Sequence, residues 1–430
     1  MVAEKFPPFN VSGSARPFYF AKYLPEFGYQ PLVLSSSILP SEDRDDTLLG
    51  ELPENVRVVR TPRLLFPLAI RLRRLGKRRS AAKADSPATA PPPEREPVTL
   101  RSLIQQLGWW LHWDVDWSAG AILAGRQIGK GSAVDLVWAS GPHFRNLGAA
   151  ARIASALGKP LIVDLRDPWT YGSLWSPKTA QIARAERRWA ARVLGQAARV
   201  VFTSPLTLTA MHSRFPNLPR ENWRVITNGY DDEVVEPLRG VPDEKCLFRY
   251  IGSLNERRYP DSLIRGFELS CRDPAFKAKA VLEFIGNAGP HARKAELAPG
   301  SAVHFRGPVS RRDSVRYMFG SDVNVLLQTI SEGQDVVSGK AFDYLHAGKP
   351  ILAVVDSSGG DAWLMRESGA GRVVEWSDPA AISAEFDACF AAFRAGARSL
   401  PGSAATRYSR RALTAELAQL FDEVLVDARS

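Results

Sequence analysis

The chain has 430 residues, 45% of them hydrophobic and 24% charged, with a formal charge of +10. That length is too great for one ordinary core and the composition is that of a folded globular protein, so two domains are expected. No run of about 18 apolar residues reads as a membrane span. Residues 1–6 lack the apolar centre of a signal peptide. Cys246, Cys271 and Cys389 show neither metal nor disulfide spacing, so the expected compartment is a reducing cytoplasm. The basic balance admits nucleic acid, an anionic membrane or an anionic substrate.

The chain opens with a loop of small residues, Phe6 to Arg16, then an amphipathic run from Arg16 to Phe27 stopped by Gly28, then a strand at Leu32–Ser35. A loop that enters a helix normally follows a strand. Only six residues precede Pro7-Pro8, so the first strand is expected to be short or absent, which an internal start would explain. Val56–Arg60 reads as a strand. The apolar Leu64–Ile70 runs into Arg71–Arg79, which holds six basic residues in nine. Residues 64–79 therefore suit an anionic membrane surface, and a solvated helix end leading into a loop accounts for them as well. The Ala-, Pro- and Ser-rich residues 76–100 cannot bury a core and read as a disordered insert. Trp109, Trp110, Trp113 and Trp117 read as packing residues.

From Val134 onward, strands and helices alternate. Strands are expected at Val134–Ala139, Leu161–Leu165, Val200–Ser204 and Arg224–Thr227. A second series follows at Leu247–Ile251, Val281–Ile285, Val303–Phe305, Val323–Leu327, Ile351–Val355 and Arg372–Val374. Two βα series predict an α/β protein with two Rossmann-like parallel-sheet domains facing across a cleft. The expected domains are residues 1–215 and 216–405, with a last helix in 406–430 packing back on the first. Ligands of such sheets bind beyond the C-terminal strand ends.

The stretch Asp335 to Pro350 carries the most specific local signal. Ser338 can cap a helix with its hydroxyl, Gly348 can end it, and Pro350 cannot continue it. Amides beside Gly339 and Lys340 then make a phosphate site. Lys340, Asp343 and Tyr344 stand at helical spacing and share a face. A cation and a carboxylate there could hold a diphosphate and a ribose. A capped helix with a surface ion pair accounts for the same residues.

Four loops at strand ends, taken in order, resemble the family 4-like glycosyltransferases of the GT-B fold. They are Phe6-Pro7-Pro8 with Gly13–Arg16, Ser140–His143 with Asp164–Trp169, Ile226–Asp231, and Tyr250–Leu254 with the stretch from Asp335. The resemblance implies a sugar transferred from a nucleotide-diphosphate donor to a saccharide or lipid-linked acceptor, with retention and without a metal. No cofactor is implied, the nucleotide-sugar being a co-substrate.

By that resemblance, His143 touches the donor sugar near the reaction centre. Gly13, Arg16, Gly252, Arg257, Arg258, Asp335, Ser338, Gly339, Lys340 and Asp343 serve the donor. Asp164, Arg166 and Asp167 serve the acceptor side, and an ordinary buried ion-pair cluster explains them equally. The family's two glutamates, eight positions apart, correspond here to Asp335 and Asp343, with Glu332 competing for the first place. The same fold also admits a nucleotide-sugar epimerase or a binding protein without turnover. A nucleic-acid binder explains the charge but not the loops. The expected location is cytoplasmic, with a peripheral membrane contact through residues 64–79.

Overall fold

A computed structural model of the chain describes residues 1–39, 42–63, 117–172, 179–255, 258, 260–289, 301–329, 335–397 and 405–429. The expectations for residues 64–100, Trp109, Trp110, Trp113, Arg257 and Glu332 lie outside the described residues. The chain divides into two compact units, residues 1–226 with 414–430, and residues 227–413.

In the first unit, strands β1 (Leu32–Ser36) and β2 (Arg57–Thr61) pair in parallel, as do β3 (Val137–Gly141), β4 (Leu161–Leu165), β5 (Arg199–Phe202) and β6 (Trp223–Val225). The segment Met1–Glu4 joins the two groups. The Val2 amide donates to Trp138 O at 2.8 Å and the Ala3 amide to Leu34 O at 3.0 Å. The first strand is therefore present but brief. Two apolar side chains, Val2 and Ala3, and acceptors on both neighbours suffice to form it.

The helices of this unit are α1 (Ser12–Tyr23), α2 (Ser118–Gly131), α3 (Arg145–Leu157), α4 (Ala180–Gln196) and α5 (Pro205–Arg214). α1 begins at Ser12, so Gly13 and Arg16 lie inside a helix rather than in the expected loop. The Ser14 hydroxyl donates to Phe9 O and Val11 O, which draws the small-residue segment into the first turn.

In the second unit six strands form one parallel sheet: β7 (Cys246–Ile251), β8 (Ala280–Ile285), β9 (Val303–Arg306), β10 (Val323–Leu327), β11 (Ile351–Val355) and β12 (Gly371–Glu375). Their order is β12-β11-β10-β7-β8-β9. The direction of winding reverses between β7 and β10, the place where doubly wound sheets bind ligands. Alternation sets the two core faces. Val325, Leu327, Leu352 and Val354 meet the aromatic cluster of Phe248, Phe267, Phe276 and Phe386. Leu326, Ile351, Ala353 and Val355 face Phe342, Leu345 and Leu364.

The helices here are α6 (Asp261–Ser270), α7 (Pro274–Lys279), α8 (Arg311–Phe319), α9 (Gly339–Ala347), α10 (Gly360–Ser368) and α11 (Pro379–Arg394). The last helix, α12 (Arg410–Asp427), passes from the second unit into the first at Thr414. In the first unit its Phe421 ring meets Tyr29 at 5.1 Å and Asp422 accepts from the Tyr29 hydroxyl at 2.5 Å. Among the described residues no helix is long and apolar enough to cross a membrane.

Candidate functional site

Each unit carries one constellation at the C-terminal ends of its strands. In the second unit it forms where β7 ends. Gly252 has φ of 144°, a conformation that glycine adopts without strain. A Cβ there would collide with Lys340 Nζ and lie 3.4 Å from the Tyr250 hydroxyl. The glycine thus gives Lys340 its place at the strand end. Lys340 Nζ donates to the Tyr250 hydroxyl at 3.1 Å and stands 4.3 Å over that ring. Tyr250 donates in turn to Ser253 O, and the Tyr344 hydroxyl accepts the Ile251 amide at 3.1 Å.

Electrostatics single out Lys340. Burial, and then the nearby Arg258 guanidinium, push its ammonium down to about 7. Arg258 has no carboxylate partner among the described residues and also acts on Tyr344 and Asp361. Two cations and the first turn of α9, which no side chain caps, meet in a part-buried place. Such a place is short of an anion.

Ser338 does not cap α9 through its hydroxyl; the Ser338 Oγ is buried and without a hydrogen-bond acceptor of good geometry. The Ser338 amide instead donates to Asp361 Oδ1 at 2.8 Å. The competing carboxylate on α10 fixes the helix entry, and no side chain caps the first turn that follows. Burial raises the Asp361 carboxyl above its ordinary value, against the pull of Ser338, Lys340 and Arg258.

Lys340, Asp343 and Tyr344 do not act as one face. Lys340 and Tyr344, a full turn apart, both reach the end of β7. Asp343 turns to α8, where Arg311 holds it at 2.8 Å. Asp335 sits in the turn before α9, with its carbonyl 3.1 Å from a Cβ placed at Gly360.

The first unit gathers a second set. The Arg16 guanidinium donates to Asp164 at 2.7 Å and to Ile226 O at 2.8 Å, and Ser140 Oγ donates to Asp164 at 2.7 Å. Arg16 is 7% exposed and Asp164 fully buried. Arg16 and Asp164 therefore tie α1 to β4 and to the end of β6, rather than presenting their charges to a ligand. Arg166 lies over the first turn of α1, its guanidinium 3.3 Å from a Cβ placed at Gly13, and pairs with Asp167 at 3.1 Å.

His143 follows β3. Burial lowers it below the ordinary imidazole value, with Glu4 opposing and Arg145, Lys5 and Arg63 adding to the fall. It is a neutral hydrogen-bonding group near pH 7. Glu4, buried at the end of the first strand, accepts from Arg145 at 2.7 Å and lies 3.6 Å from Arg63.

Residues 68–234 match the model of Glycosyltransferase Family 4. That match covers less than half of the chain; the fold is GT-B. HepE of Anabaena, solved with UDP-glucose, is 15% identical with a TM-score of 0.57, covering 99% of this chain and 98% of its own. Sucrose-phosphate synthase of Thermosynechococcus elongatus is 15% identical with a TM-score of 0.59, covering 95% and 92%. The lipopolysaccharide outer core galactosyltransferase WaaB is 12% identical with a TM-score of 0.56, covering 98% of each chain. No curated protein matches the chain.

Within this GT-B frame, Gly252, Arg258, Ser338, Gly339 and Lys340 come together, and Asp343 lies beside them in an ion pair. Asp361, Arg311 and Glu4 belong to these constellations and escape sequence reasoning. Their partners are distant in the chain. The sole signal was local: Asp361 follows Gly359-Gly360 at the mouth of a strand–helix turn.

Proposed function

We propose that the protein transfers a sugar from a nucleotide-diphosphate donor to a saccharide or lipid-linked acceptor. The observation that carries this is the meeting of Lys340, Arg258 and the uncapped first turn of α9 at the winding reversal between β7 and β10. It suits a diphosphate, whose charge grows as it leaves. The UDP-glucose bound by the similarly folded HepE is consistent with such a donor.

In this reading the bond between the sugar carbon and the diphosphate oxygen breaks and the diphosphate takes the electron pair. The acceptor hydroxyl forms the new bond on the same face, and its proton goes to the departing phosphate. Lys340 and Arg258 steady the diphosphate, so the reaction needs no metal or cofactor. Asp343 binds the ribose and Asp335 the sugar side. Neutral His143 bonds a sugar hydroxyl, and Arg166 with Asp167 serves the acceptor side. The work is cytoplasmic, in polysaccharide assembly, at a membrane that residues 64–79 help to reach.

A thermal-shift panel of uridine, guanosine and adenosine diphospho-sugars tests the donor. At least one should stabilise the protein and yield a transferred sugar when acceptor extracts are added. Absence of binding and of hydrolysis across the panel would overturn the reading. His143→Ala should keep donor binding and lose transfer.

A further inference from the structure

Three helices of the first unit form a face of one charge. α2 approaches α3 through glycines: a Cβ at Gly125 would meet Ile153 Cδ1 at 2.6 Å, and one at Gly129 would meet Leu157. α3 receives α4 in the same way, since a Cβ at Gly148 would meet the Trp189 ring at 2.5 Å. The inward sides bury Ala121, Ile153, Ala190 and Val193. The three helices are thus one packed layer with a single outward surface.

Every exposed charged side chain on that surface is basic. Arg126, Lys130, Arg152, Arg184, Arg188 and Arg192 are all exposed, at helical spacing, and none has a carboxylate partner among the described residues. The layer holds one carboxylate, Glu186, which is buried beneath Trp169 and accepts from its indole at 3.4 Å. Natural surfaces intersperse both signs, and a single-sign field over adjacent helices draws an extended anion. Leu123, one turn before Arg126, is 67% exposed. No aromatic is among the exposed large hydrophobic side chains of the described residues, so the stacking platforms of single-strand nucleic-acid binders are missing. Exposed aliphatic surface amid Arg and Lys matches the boundary between lipid headgroups and acyl chains.

We propose that the outward face of α2, α3 and α4 docks on an anionic lipid bilayer. The inference stands on charge and packing in the first unit and does not depend on the transfer reaction. It suits the lipid-linked acceptor of the proposed function and is argued without residues 64–79.

Flotation of the full chain with vesicles of phosphatidylcholine, with and without phosphatidylglycerol, tests the docking. The protein should float with the anionic vesicles, stay behind with the neutral ones, and release as salt rises. Arg184→Glu/Arg188→Glu/Arg192→Glu should cut the bound fraction about tenfold or more, since each surface charge adds to attraction. Arg126→Gln/Lys130→Gln, a milder change, should weaken it in the same direction. Lys277→Glu/Lys279→Glu on exposed α7 should float as the wild type does. Unchanged melting and unchanged thermal shift by the donor would show that the variants are folded. Equal flotation of the α4 and α2 variants and wild type, no flotation of wild type, or tighter binding to a single-stranded RNA homopolymer than to anionic vesicles would each overturn the proposal.

Discussion

Lys340 Nζ lies 3.1 Å from the Tyr250 hydroxyl, beside a glycine whose bare Cα leaves room for it. The contact places an ammonium pushed down to about 7 by burial and Arg258 at the end of β7. In the proposed function an arriving diphosphate restores the proton. Above pH 7 the free protein holds Lys340 neutral, so binding takes up a proton and weakens as pH rises. Calorimetry of nucleoside diphosphate binding in buffers of different ionisation enthalpy should detect uptake at pH 8 that is much reduced at pH 6. Binding without proton exchange at pH 8 would contradict the assignment.

Replacing that lysine separates stability from function. In the folded protein its value is lowered, so the unfolded chain binds more protons between pH 7 and the ordinary lysine value. The resulting cost is largest below pH 7 and fades as pH rises toward that value. Lys340→Met should therefore melt no lower than wild type at pH 7 while losing stabilisation by nucleoside diphosphates. A melting point several degrees lower would show that Lys340 supports the fold.

Asp343 is held by Arg311, which is 66% exposed, so the pair contributes about 0.5 kcal/mol or less. Arg311→Ala should leave melting almost unchanged. Asp343→Ala should weaken nucleoside diphosphates by roughly tenfold or more, as expected for loss of hydrogen bonds to a charged group, and leave inorganic diphosphate unaffected. Equal loss for both ligands would remove Asp343 from the ribose.

The Arg16–Asp164 pair is the opposite case. Both groups are buried, and truncating one leaves the other's charge without compensation, at a cost of about 3–5 kcal/mol. Arg16→Met should unfold at markedly lower denaturant, and Arg16→Met/Asp164→Leu should recover part of the loss. A single variant as stable as wild type would return Arg16 to the ligand site.

Gly252→Ala tests the close approach. It strains a φ of 144° and displaces Lys340, so stabilisation by nucleoside diphosphates should fall sharply. Preserved ligand-induced stabilisation would show that Lys340 works from another position.

The order of strands and helices was legible because buried parallel strands are short apolar runs and their helices carry a different period. Ile351–Val355 is buried at every residue, as its composition required. The helix from Gly339 to Gly348 was equally legible, since its stop depends on one left-handed glycine. What lay beyond the sequence was the partner of each polar group. Ser338 looked like a cap until Asp361, 23 positions on, took its amide. Arg16 looked like a ligand for a diphosphate until Asp164, 148 positions on, enclosed it. Local periodicity determines which residues form an element and which side they bury. Tertiary structure alone decided which charges pair with one another and which, like Lys340 and Arg258, stand together at the end of β7, because that arrangement depends on distances in space that chain spacing does not encode.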